Sequence, residues 1–220
     1  MAKPTDALPP PSDRVRVGRK PERGHYDRAT IDAIIDAAIV GHIGYVVDGQ
    51  PYVIPTAIWR QGDRLFWHGS VASRMLRGTA GQRVCITVSR IDALVLARSG
   101  FDHSVDYHSV VILGTAYLID DQAEKLAALD AFVDRLYPGR SATLRPPRPK
   151  ELKATTVMWT DLSEASAKIR DIGAHDEPGD ETWPAWAGTI PLTTVLGEPI
   201  PDEFVPAGMA APTVTLEAGG

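Results

Sequence analysis

Residues 51–74 read PYVIPTAIWRQGDRLFWHGSVASR, and this stretch decides the fold. Pro51–Trp59 is strand-like, Gln61-Gly62-Asp63 has the composition of a hairpin turn, and Arg64–Trp67 resumes as a strand. With His42–Val47 before it, across Asp48-Gly49, the segment predicts an antiparallel meander. Pro55 has no N–H to give to a ladder, so its strand must run along an edge or face something other than a neighbouring strand. A flat ring system could fill that place; an edge strand with a bulge is the other reading. Past the third strand, Gly69, Ser70, Ser73 and Arg74 lead into a helix. Backbone N–H groups at a helix start, two hydroxyls and a guanidinium are suited to holding a phosphate. The plainer alternative is a serine that only caps the helix and an arginine that is solvated.

Outward from this stretch the pattern stays mainly β. Ile31, Ile34, Ile35, Ala38 and Ile39 fall at helical spacing after a cap at Asp27 or Thr30, with Gly41 as the stop. A short helix is expected over Ala72–Ala80, and further strands over Arg83–Val88, Ala93–Ala97, Ser109–Ile119 and Thr155–Leu162. Asp120 or Asp121 caps another helix, which carries Leu126, Leu129, Phe132, Val133 and Leu136 on one stripe that should lie on a barrel. Residues 1–24, rich in proline and charge, read as a flexible arm, and 206–220 as a disordered tail. Residues 25–205 then form a single domain.

The bulk composition narrows the function. A formal charge of -5 gives no positive field for nucleic acid or an anionic membrane. The longest apolar run, Ser109–Ile119, is well short of the roughly 20 residues of a membrane-spanning helix, and the N-terminus does not read as a signal peptide. A soluble protein is expected. The single cysteine, Cys85, can form no intrachain disulfide, fits a reducing cytoplasm and reads as an inert core thiol. His68, His103 and His108 match no zinc spacing, so no metal is expected. Dinucleotide, Walker-loop and serine-hydrolase motifs are missing. Trp183 and Trp186 read as packing residues or as a stacking platform for a ring.

PYVIPTAIW, LFWHGSVASRML, VCITV, ALVLARSGFDHSVDYHSVVILGTA and WPAWAGTIPL, in this order over about Asp27 to Pro201, resemble the pyridoxamine 5'-phosphate oxidase-like superfamily, in its flavin-nucleotide-binding and nitroimidazole-resistance branch. The resemblance implies a six-stranded antiparallel split β-barrel with flanking helices, a homodimer, and FMN at the subunit interface. By position, Val53, Ile54, Pro55 and Thr56 would run beside the isoalloxazine, with Trp67 and His68 on the next strand. Ser73 and Arg74 would match the phosphate-binding pair, Ser109 a polar residue near the ring, and Trp186 a contact from the C-terminal segment. Ser73 stands where the oxidases carry a second cation, and their Arg-Leu-His-Asp-Arg tail is missing, so pyridoxamine-phosphate oxidation itself is not expected. The expected activity is electron transfer from a reduced nicotinamide to a small electrophile such as a nitroaromatic. The alternatives are a non-catalytic flavin-binding or sensing protein, and a barrel holding haem through His68 or His108.

Overall fold

Alternating burial makes residues 40–61 a hairpin. Ile43 and Tyr45 point into the core while His42 and Val46 point out, and Val47 pairs with Gln50 around Asp48-Gly49. Both turn residues have positive φ, 51° and 79°, which is the two-residue turn whose twist suits a hairpin. The structure, a computed structural model, describes residues 8–214. Along the chain lie β1 (Gly24–His25), α1 (Arg28–Asp36), β2 (Val40–Val47), β3 (Gln50–Gln61), β4 (Arg64–Ser70), α2 (Arg74–Thr79) and β5 (Arg83–Leu96). They are followed by β6 (Ser104–Thr115), β7 (Tyr117–Leu118), α3 (Gln122–Leu136), α4 (Pro149–Ala154), β8 (Thr155–Asp161), β9 (Ala165–Arg170) and β10 (Gly188–Pro191).

The sheet is antiparallel in the order β1-β9-β6-β5-β2-β3-β4-β8-β7, with β10 added to β5. It curls until β6 and β8 touch without a ladder: a Cβ built on Gly114 would lie 2.0 Å from Thr160 Oγ1. On the other side the barrel is split. β3 pairs with β2 from Gln50 to Ala57 but with β4 only from Ile58 to Gln61. This is the mainly β, split-barrel architecture expected from the sequence.

Two apolar cores hold it. The first fills the barrel with Ile43, Ile58, Leu65, Trp67, Ile86 and Ile112 and is plugged by Ile31, Ile34 and Ile35 of α1. The second joins Trp59, Phe66 and Val157 on the outside of the barrel to Ala128, Leu129 and Phe132 of α3. Asp27 caps α1 by accepting the Thr30 N–H at 2.8 Å, and Asp121 caps α3 through Glu124 N–H at 2.8 Å. Arg135 of α3 donates to the carbonyls of Ile35, Asp36, Ala38 and Ile58. A cation placed on the last carbonyls of α1 satisfies acceptors that the helix itself leaves bare.

Several elements differ from the sequence expectation. Gly41 does not stop α1; the helix ends at Asp36 and Gly41 pairs with Thr56 in the sheet. The two strands expected over 83–88 and 93–97 are one strand, in which a register shift between Ile91 and Ala93 changes the phase of alternation. The strand expected from Ser109 begins already at Ser104, and the charge of its added residues is neutralised by a buried Asp106–Arg170 ion pair. β9 and β10 were not foreseen. The described part of the N-terminal arm lies on the barrel, with Val15 buried, Val17 N–H donating to the Tyr26 hydroxyl at 2.9 Å, and Lys168 donating to Arg19 O at 2.9 Å. Residues 206–214 have no helix or strand, and residues 1–7 and 215–220, the rest of the expected arm and tail, lie outside the described residues.

Candidate functional site

The split in the barrel builds the site. Ile58 donates its N–H to Ile39 O at 3.0 Å, so the backbone groups of residues 52, 54 and 56 also face β2, and those of 51, 53, 55 and 57 face away. Away from β2 there is no ladder over these residues, because β4 joins β3 only from Ile58. Pro51 and Pro55 occupy positions whose missing N–H would have had no strand partner. What remains is an open backbone edge with the Val53 and Ala57 N–H groups directed outward.

Side chains on this strand divide by alternation. Val53, 63% exposed, and Pro55 face out from the barrel beside His42, which pairs across to Pro55 on one side and Thr87 on the other. Tyr52 stacks on Tyr45 inside, with Ile54 and Thr56 on its face of the strand. Gly69 lets α2 come close, since a Cβ there would lie 3.0 Å from Leu76 Cδ1. Arg74 therefore stands over the Tyr52 ring at 5.8 Å, one residue from Val53. Ser73 at the start of α2 makes no side-chain cap bond, while Ser70 Oγ accepts the Ala72 N–H at 3.2 Å. The Arg74 guanidinium, with the Ser73 hydroxyl next to it in the chain, thus lies over Tyr52 of the strand with the open edge, while Val40, Val46 and Val111 are exposed on the outer sheet face. Such a place can hold an anion next to a flat apolar body.

Other expected residues lie elsewhere. Trp67 is fully buried in the barrel core. His68 points to the opposite side, into the second core, with its ring 4.9 Å from Phe132 and 5.7 Å from Trp59. Ser109 is on the outer sheet face, three strands from Pro55, roughly 15 Å by strand spacing, and donates to Lys168 O at 3.1 Å. Trp186 is exposed near β10, which pairs with the far end of β5. Eleven residues of β5 separate that end from Cys85, roughly 35 Å, so one chain does not bring Trp186 to the Arg74 region. The sequence reading passed over His42, although an imidazole among the outward positions Val40, Gly44 and Val46 is a signal of its own.

A second concavity of about 640 Å³ opens where β2 has left β5 and β10 has not yet joined it. Ile34, Ala38, Val40, Ile91, Leu192 and Val195 line it, with Arg90 and Asp92 in its wall. Asp92 holds Arg90 Nε and His108 Nδ1, each at 2.7 Å.

Burial pushes the His68 imidazole below its ordinary pKa of 6.5, and its Nδ1 is buried without a partner. The unfolded chain then binds more protons below about pH 6.5, so this group's contribution is complete above that pH. It is lost as pH falls through the window beneath and levels off once the buried ring protonates. His68→Phe is expected to flatten this part of a Tm profile recorded from about pH 7 to 5; an unchanged slope would place the pH dependence elsewhere.

Residues 27–169 match the family described as pyridoxamine 5'-phosphate oxidase. Among solved structures, the flavocytochrome Anf3 from Azotobacter vinelandii is 41% identical with a TM-score of 0.88, over 92% of this chain and 95% of that one. The FAD and heme binding protein from Mycobacterium smegmatis is 35% identical with a TM-score of 0.82, over 86% and 94%. A candidate 5-nitroimidazole antibiotic resistance protein from Bacteroides thetaiotaomicron, 22% identical with a TM-score of 0.55 over 66% and 86%, shares the fold. No curated protein matches the chain.

Proposed function

Because the chain belongs to the pyridoxamine 5'-phosphate oxidase family, we propose that it is a flavin-binding redox protein whose flavin lies along the open edge of β3. The observation that carries this reading is the splayed strand itself. An unpaired edge with two prolines and an outward Val53 N–H runs up to Ser73 and Arg74. In this reading Arg74 and Ser73 would hold the phosphate, and the Val53 N–H with the Val53 and Pro55 side chains would hold the ring. When bound, the flavin supplies one- and two-electron redox chemistry, while the protein orients it and keeps water away. His42 is the imidazole on that face.

A second copy of the chain completes the site. Val40, Val46, Val53, Ile91, Leu94 and Val111 are exposed, and a homodimer would cover them and bring the Trp186 region of one chain toward the β3 edge of the other. FAD in place of the expected FMN, with haem as a second group, is favoured by the 35% identical protein described as binding both, and by the 41% identical flavocytochrome. The neutral His68 with its orphan Nδ1, and His103 and His108 with Nδ1 engaged, give the chain imidazoles of the kind that ligate iron.

The test is an absorbance spectrum of the full chain as purified, then titrated with FAD, FMN and haemin, with released cofactor identified by chromatography. Flavin bands that bleach on adding NADH or NADPH are expected, and FAD is expected to bind more tightly than FMN. A chain that takes up neither flavin would overturn the reading, and one that takes only FMN would overturn the choice of nucleotide.

A further inference from the structure

Charge is spread unevenly over the chain. Residues 71–79 and 137–154 hold seven of its 23 Lys and Arg but one of its 28 Asp and Glu. The two segments are neighbours, since Val71 N–H donates to Ala154 O at 3.0 Å and Ser70 pairs with Thr155. α2 buries Met75, Leu76 and Thr79, which leaves Arg74 and Arg77 together on its exposed face. Lys150 and Lys153 have the same spacing and exposure on α4. Residues three apart share a helix face, where like charges repel. Among the described residues neither pair has a carboxylate within ion-pair distance, whereas Arg28, Arg64 and Arg98 each meet one.

The loop between α3 and α4 is held in place. Asp134 accepts the Ser141 N–H at 2.8 Å and the Ser141 hydroxyl at 2.6 Å, and Pro146, Pro147 and Pro149 fix the backbone that follows. Glu151 accepts Arg145 Nη1 and Nη2 at 2.9 and 2.6 Å and Arg148 N–H at 2.7 Å. These bonds, the Arg145 pair foremost, hold its carboxyl at about 2. The single acid of the face thus serves Arg145, while Arg148, Lys150 and Lys153 stay exposed beside it. The remainder of the molecule carries 16 Lys and Arg against 27 Asp and Glu. A long polyanion lying across the chain would meet that acidic surface, and two copies meeting here would oppose like charges, whereas a compact acidic protein touches the basic face alone. Redox partners commonly meet through small contacts of this kind, steered by charge and burying little area. The face also adjoins Arg74 and, through it, Tyr52 on the strand along which the flavin is placed above.

We propose that the face formed by Arg77 of α2, Lys150 and Lys153 of α4 and Arg148 of the loop before it docks the acidic surface of a small one-electron carrier protein. The choice of an electron carrier rests on the flavin reading above. Electrons cross the contact singly, each one lost by one centre and gained by the other, with protons exchanged with water and no bond made between the two proteins. The test is fluorescence anisotropy with two labelled acidic carriers, a flavodoxin and a plant-type [2Fe–2S] ferredoxin, against the full chain with and without FAD. Salt of about 0.01 M and about 0.1 M is used, between which the screening length falls from about 30 to about 10 Å. Wild type is expected to bind a carrier more weakly at the higher salt, and Lys150→Glu with Lys153→Glu to bind about 10-fold more weakly than wild type at the lower. Arg14→Glu with Arg19→Glu makes the same change in net charge on the N-terminal arm, which Ser12 ties to Glu164 beyond the other end of β8. That variant should bind within about twofold of wild type, and equal Tm values should show all three chains folded. Binding of neither carrier, equal loss in both double variants, or a DNA duplex bound more tightly than either carrier would each overturn the proposal. A chain that binds a carrier through this face yet takes up no flavin would leave the docking in place and overturn the flavin reading instead.

Discussion

Arg74→Ala is expected to weaken flavin binding by about 10- to 100-fold while leaving the folded chain intact. A charge-assisted bond to a phosphate contributes about 1.5–3 kcal/mol, and each 1.4 kcal/mol is tenfold in affinity. The neighbouring Ser73 is neutral and Ser70 Oγ already serves the turn. Arg74 itself is exposed and its contact within the chain is the Tyr52 ring at 5.8 Å, so truncation should change stability by no more than about 0.5 kcal/mol. Arg74→Lys keeps the charge but loses the planar fork and should fall between the two. Fluorescence titration with FAD, beside a Tm of the flavin-free protein, checks this. Equal affinity in wild type and Arg74→Ala would remove the phosphate from the start of α2.

Gly114→Ala is expected to destabilise the fold by about 2–4 kcal/mol, with no direct effect on the site. The added methyl would sit 2.0 Å from Thr160 Oγ1 and 3.3 Å from Thr160 Cβ, where Thr160 is wholly buried. Overpacking of this kind usually costs about 1–3 kcal/mol and more where neighbours cannot move. Here the neighbour belongs to the contact that closes the barrel between β6 and β8. Urea denaturation gives the comparison, and Gly114→Ala with Thr160→Ala offers a control, since removing the facing hydroxyl should recover part of the loss. A variant as stable as wild type would mean that the two strands can part without penalty.

The hairpin of residues 40–61 was legible because two local signals agree there: alternation along Ile43–Val47 and a turn at Asp48-Gly49 that tolerates positive φ. Pro55 was legible as an interruption, and the open edge of β3 is its structural counterpart. The continuity of β5 was not legible. The irregularity between Ile91 and Ala93 shifts the alternation by one, so that a single strand reads as two. β9 escaped because Ser166, Lys168 and Arg170 break any apolar run, although Arg170 is neutralised by Asp106 once both strands are in place. Propensity cannot show a partner that is 64 residues away.

For the candidate site, the sequence offered residue types but not their placement. Ser73 and Arg74 do stand near the β3 edge, whereas Trp67 and His68, read as one pair, point into different cores because successive side chains in a strand face opposite ways.

The division of the β5 edge between β2 and β10 bears on how the chain is made. Residues 93–96 are synthesised early, yet the strand that covers their edge spans 188–191. β6 pairs with one side of this segment soon after it is made, but at about 5–20 residues per second nearly half the chain must follow before β10 covers the other side, which leaves that edge of Ala93–Leu96 open on the ribosome for roughly 5–20 s. Truncated translation products that stop before Gly188 would keep that apolar edge bare, a template for pairing between nascent chains.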